Sequence, residues 1–311
     1  MDVSFTRTSI IAIDAYHNIH TLLDGTYTLR IIENFFELAL ATGPYLVLSI
    51  ALNVLLTRYV ALHQVRLPVR GEYASIAVAA LLGLLSPLPT YAAIPIALSV
   101  ASAGVPLSAI LAFVVSSPLM NPGVFLLTAS QLGLEMALVR SAAAFIIGVL
   151  AGICTMTIPL ALQPPAKPSP RQIPAQPLKQ RSIGQEFYRS ARYAGKYFSL
   201  AILLSAAVKA LVPAQTVSNL LGGGGATGTL VAIGMGVPFY TCGGAAIPFM
   251  QTLMGLGMSK GATLAFFTAG PATKVETLYA FKSQLGARIL VLYLSLTLGF
   301  SFVAGWLYSF F

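Results

Sequence analysis

Four stretches without an ionisable side chain decide what this chain can fold into. Between Glu72 and Glu135 lie 62 residues free of Asp, Glu, Lys, Arg and His, and between Lys209 and Lys260 another 50. Arg140 and Lys167 enclose 26 more, and 23 follow Arg288. About 20 mainly apolar residues suffice for a helix to cross the hydrocarbon core of a bilayer. The composition agrees: 9% of the 311 residues are charged, where a soluble domain carries about 25%. Too few charges remain to cover a water-facing surface. The reading is an all-α polytopic membrane protein whose first partner is the lipid bilayer.

The net charge of +9 then marks cytoplasmic loops through the positive-inside bias. It is not read as affinity for nucleic acid, and no nucleic-acid partner is expected. Cys154 and Cys242 both fall in apolar segments, which argues against a disulfide framework. Residues 1–30 hold Asp2, Asp14 and Asp24 around a short apolar run at 10–13. They lack the pattern of a cleavable leader and read as a polar or interfacial arm.

Residues 163–183 break the apolar pattern. They are rich in proline, with four basic residues and no acid, the composition of a solvated, extended linker. This segment divides the chain into a first transmembrane repeat, 31–162, and a second, 184–311. Sliding 83–133 against 236–286 without a gap gives identity at 15 of 51 positions. The matches include Ala92/Ala245, Ile94/Ile247, Pro95/Pro248, Gly104/Gly257, Phe113/Phe266, Pro118/Pro271 and Gly133/Gly286. Prolines and glycines in register point to duplication.

Orientation follows from parity. The loop after Arg58 and the linker are both basic and so both cytoplasmic. An even number of crossings separates them, and each half therefore makes an odd number. Halves of opposite orientation are an inverted repeat, a common plan of secondary transporters. On this reading both termini lie on the periplasmic side. About 10 hydrophobic segments are expected: 33–57, 73–87, 91–104, 106–132 and 135–159 in the first half; 186–211, 226–239, 244–257, 259–283 and 286–310 in the second. The pieces of about 14 residues reach only about 20 Å at 1.5 Å per residue. They are short of the roughly 30 Å core, and so are broken, tilted or re-entrant.

The candidate site lies at two matched interruptions. In the first half, Pro89, Thr90, Tyr91 and Pro95 stand in a run that three prolines prevent from forming a continuous helix. Its counterpart carries Tyr240, Cys242, Gly243, Gly244 and Pro248. Interrupted apolar segments at corresponding positions are the best sequence pointer to a transporter's binding site. A kink packed between helices is the plainer alternative. A second matched pair follows, with Ser117, Pro118 and Asn121 against Pro271, Thr273, Lys274 and Glu276. Lys274 is either a buried charge, costly unless paired, or an anchor snorkelling to an interface. Glu276 can pair with it only where the helix is unwound, since residues two apart do not face each other.

Other features argue for less. The Gly222–Gly225 run reads as a flexible loop, because no Lys precedes Thr227 to complete a phosphate-binding signature. Gly148 and Gly152 fit small-residue helix packing. His17, His20 and His63 stand outside the apolar segments with no acidic cluster, so neither a metal nor a cofactor is expected, and an intramembrane enzyme finds little support.

Tyr240-x-Cys242-Gly243-Gly244-Ala245-Ala246-Ile247-Pro248, followed by Gly257-Met-Ser-x-Gly261-Ala262 and Gly270-Pro271-Ala272-Thr273, resembles the predicted-permease family that includes organoarsenical efflux permeases (ArsP-like, DUF318-type). Ala93-Ile94-Pro95, Gly104-Val-Pro106 and Ser117-Pro118-Leu119-x-Asn121-Pro122 are similar to that family's first copy. The resemblance covers about residues 35–310. It implies an inner-membrane permease exporting a small solute, an organoarsenical or another small anion or metalloid. A non-transporting scaffold or accessory subunit with the same fold is the competing reading. The residues leave open whether the chain forms homo-oligomers.

Overall fold

A computed structural model describes residues 27–59, 71–86, 105–157, 182–237 and 244–311. Among these the chain is helical and contains no strand. The first half supplies α1 (Tyr27–Tyr59), α2 (Glu72–Leu85), α3 (Leu107–Ser116), α4 (Pro122–Leu132) and α5 (Leu134–Thr157). The second supplies α6 (Ile183–Leu211), then a single turn (Ala214–Val217) running into a π-helical turn (Ser218–Gly222). It continues with α7 (Ala226–Gly236), α8 (Ile247–Gly255), α9 (Lys260–Ala272), α10 (Val275–Gln284) and α11 (Ala287–Tyr308). Four of these helices, α1, α5, α6 and α11, are long and apolar enough to cross a membrane. Leu40, Leu138, Leu200 and Val291 are exposed on them, an outer surface suited to lipid rather than water.

Local chemistry sets the ends. Ser182 and Ser259 accept the backbone N–H groups of Gln185 (3.3 Å) and Ala262 (3.2 Å) and so cap α6 and α9. Gly133 and Gly286 both sit at φ 92°, a left-handed value that a Cβ would strain. Each lets a short helix turn directly into a long one. The expected single segments 106–132 and 259–283 are each two helices. Asn121 is extended, at φ −150° and ψ 167°, as a residue before proline prefers, and Pro122 opens α4 as a new helix. In the second half Lys274 is extended (ψ 134°) and separates α9 from α10.

Each half closes around three helices in close contact. Ser108 Oγ donates to Glu72 Oε1 (3.1 Å) and Ser116 Oγ to the Ala80 carbonyl (3.0 Å). Both pairs are 36 residues apart, so α2 and α3 run parallel. Gly152 of α5 meets them both: a Cβ there would lie 2.9 Å from the Ser108 carbonyl and 2.6 Å from Ile76. The arrangement recurs 153 residues later, where a Cβ on Gly305 of α11 would lie 2.8 Å from the Gly261 carbonyl and 3.0 Å from Thr229. Gly83 against the Phe113 carbonyl (2.7 Å) is likewise matched by Gly236 against that of Phe266 (3.1 Å). In lipid no hydrophobic drive separates helix from solvent, and such close backbone approach holds helices together. Gly148 sits in the first of these seams, 3.0 Å from the Ala112 carbonyl by the same measure.

One end of the bundle gathers polar contacts. Lys209 near the end of α6 pairs with Glu37 near the start of α1 at 2.8 Å. Glu135 at the start of α5 receives Lys260 from the start of α9 (2.9 Å) and the Tyr308 hydroxyl from the end of α11 (2.6 Å). The Ser259 N–H bonds the Leu221 carbonyl at 3.0 Å. This ties the glycine run, with Gly224 near Ser309, into a packed turn.

Candidate functional site: two helix breaks and a buried arginine

Of the residues singled out in the sequence, Pro89, Thr90, Tyr91, Pro95, Tyr240, Cys242 and Gly243 lie outside the described residues. Gly244 and Pro248 mark the chain's return. Gly244 accepts the Ile247 N–H at 3.2 Å, and Pro248 is buried in the first turn of α8. A Cβ on Gly244 would stand 3.4 Å from Leu127, so this turn of the second half leans on α4 of the first.

The second pair of interruptions lies within the described residues, and its two sides differ. In the first half Asn121 caps α4, its Oδ1 accepting the Val124 N–H at 2.9 Å. Ser117 ends α3, is buried, and its Oγ has no hydrogen-bond partner among the described residues. Pro118 occupies the turn between them. In the second half Pro271 lies inside α9 rather than at the break. The ring forfeits only the hydrogen bond to the Phe267 carbonyl, and the helix runs on to Ala272. Thr273 then ends it, its N–H and hydroxyl both bonded to the Ala269 carbonyl (3.2 and 3.0 Å). Lys274 follows, half-buried, with no side-chain partner among the described residues. Glu276 stands in the first turn of α10.

The breaks share a core. Leu119 and Met120 from one, and Ala272 from the other, belong to a single buried cluster with Phe281, Leu285 and Tyr293. The interruptions of the two halves thus meet at the interior of the bundle.

One residue in that interior belongs to none of the sequence motifs. Arg140 lies seven residues into α5, with 4% of its surface exposed. Its Nη1 donates to Thr128 Oγ1 at 2.6 Å, and its guanidinium lies over the Phe267 ring, 3.8 Å from the centroid. Thr128 belongs to the first half and Phe267 to the second, so the side chain bridges the two. Nη2 is buried and has no hydrogen-bond partner among the described residues. The sequence does carry a signal for it, since a lone arginine within an apolar span is by default functional. Arg140 falls inside the expected segment 135–159, but no motif there singles it out.

Apolar spanning helices, exposed aliphatic belts and short helices broken at matched interior positions define a multi-pass helical membrane protein. The chain belongs to the predicted permease family, whose model matches residues 29–310. A relative, the UPF0718 protein MJ0584 of Methanocaldococcus jannaschii, is 28% identical over 108 residues, 35% of this chain and 30% of that protein. The alignment thus spans less than a third of that relative. No solved structure matches.

Proposed function

We propose that the protein is a secondary permease of the inner membrane that exports a small solute by alternating access between two inverted halves. The observation that carries this reading is the pairing of helix ends. The starts of α1 and α5 share one end of the bundle with the finishes of α6 and α11, through Glu37–Lys209 and Glu135–Tyr308. Corresponding helices of the two halves thus run in opposite directions while repeating the same glycine seams. Two similar bodies related in this way have two equivalent packings, and exchanging them opens a central site to one side and then the other.

The substrate is a small organoarsenical, or another small anion or metalloid, and an ion gradient or simple downhill flux drives it. The motif residues Pro89, Thr90, Tyr91, Pro95, Tyr240, Cys242, Gly243, Gly244 and Pro248 line its path. Ser117, Pro118, Asn121, Pro271, Thr273, Lys274 and Glu276 flank the pivot, and Lys274 is the charge that senses the solute or its coupling ion. The linker at 163–183 is cytoplasmic. Solute uptake into everted vesicles and proteoliposomes, screened over arsenicals, metals and small anions, tests the reading. Uptake above empty-vesicle leakage, blocked by thiol modification of Cys242 but not of Cys154, is the expected result. A protein that moves nothing across that panel is a scaffold.

A further inference from the structure

The interior of the bundle holds a cation that its surroundings do not neutralise. A guanidinium presents five N–H donors and stays charged under all physiological conditions. At Arg140 one donor meets Thr128, and one face of the group meets Phe267. Neither contact brings a negative charge, and Nη2 is left without an acceptor among the described residues. Glu37 pairs with Lys209, Glu72 accepts from Ser108, and Glu135 accepts from Lys260 and Tyr308, so none of these carboxylates is the partner of Arg140. A buried charge without a counter-charge is among the costliest features a membrane interior can hold.

The corresponding position in the second half is built differently. Counting 153 residues on, Arg140 maps to Tyr293 and Thr128 to Phe281. There the two side chains stack, with ring centroids 4.1 Å apart and planes inclined by 16°. The frame therefore accepts a neutral aromatic pair at this place. The arginine is not required by the packing of the fold.

Resting on the permease reading, the geometry points to Arg140 as an anion-binding residue at the seam between the halves. The ligand it takes is a small organic anion, an oxyanion head on an apolar body. The head supplies the acceptor and charge that Nη2 lacks. The body suits the apolar surroundings, since Phe267, on which the guanidinium rests, belongs to one buried apolar cluster with Leu127, Ala246 and Ile247. A strongly hydrated inorganic ion would surrender its water there for a single donor group. Because the guanidinium rests on a residue of each half, a ligand bound to it senses their relative position.

The test is a binding measurement on purified full-length protein in detergent, read by thermal unfolding at fixed ionic strength. Benzoate and phenylphosphonate are the probes, and benzyl alcohol is the neutral control. Either anion should raise the melting temperature saturably while benzyl alcohol does not. Arg140→Gln should abolish the shift, Arg140→Lys should weaken the apparent Kd at least tenfold, and Arg288→Gln, an exposed cation of α11, should leave it unchanged. If Arg140→Gln does not fold, the lysine variant decides: an unaltered Kd overturns the proposal. So does a wild-type protein that neither anion stabilises, or a shift that survives Arg140→Gln. Because binding is read without flux, a protein that binds but does not transport loses only the permease reading, and normal transport of an anion by Arg140→Gln sinks only this one.

Discussion

The two halves agree in backbone and disagree in chemistry. Gly152 and Gly305 admit carbonyls at corresponding positions, and Gly133 and Gly286 share the same φ. At the interior breaks the halves part. Asn121 is spent on a helix cap, whereas Lys274 has no side-chain partner among the described residues. Arg140 on Thr128 stands where the other half stacks Tyr293 on Phe281. The contrast separates the features that hold the frame together from those that do not. Close helix approach depends on the absence of a side chain, and both halves retain it. Polar groups inside are not needed for that approach, and there the two halves differ.

The largest effect should come from filling a seam. Gly152→Leu and Gly305→Leu each push a branched side chain into a carbonyl, and overpacking of this kind costs about 3 kcal/mol or more. Yield of monodisperse protein on size exclusion should collapse for both. Collapse of one alone would show that the halves are not equivalent supports. Next comes Lys274→Met, which should cut transport more than tenfold at unchanged expression. Asn121→Ala should instead cost about 1 kcal/mol of stability through the lost cap, with transport per folded molecule within about twofold. Should the Met variant transport normally, Lys274 is an anchor and the asymmetry carries no mechanism.

Smaller still is Tyr293→Phe. Its hydroxyl is buried with no partner among the described residues. Removing an unsatisfied polar group while keeping the stack should leave the melting temperature unchanged or raise it slightly; a marked drop would reveal a hidden acceptor. The smallest effect belongs to Lys260→Ala. It breaks an exposed pair with Glu135, the two side chains 46% and 59% exposed, and such pairs contribute little. The melting curve should barely move.

Much of the frame was legible in the sequence because its causes are local. Charge-free stretches revealed the membrane class and the apolar bodies of α5 and α11, and Gly133 and Gly286 stood in register 153 residues apart. The exact breaks were harder to read. Pro118 does lie in its break, in the turn after α3, but Pro271 lies inside α9, where a proline near the end of a helix forfeits one bond and need not stop it. The next helix then starts after Asn121, held extended by Pro122, in one half and after Lys274 in the other. The pairing of Arg140 with Phe267 was not legible at all. It joins residues 127 positions apart, and no spacing rule connects one half's arginine to the other half's ring.

That separation has a consequence for the birth of the protein. At translation rates of about 5–20 residues per second, Phe267 leaves the ribosome roughly 6–25 s after Arg140. During that interval α5 enters the bilayer carrying a charged group that has Thr128 beside it but not yet its aromatic cover. The first half is thus an incomplete client, one whose insertion machinery has reason to hold on until the second arrives.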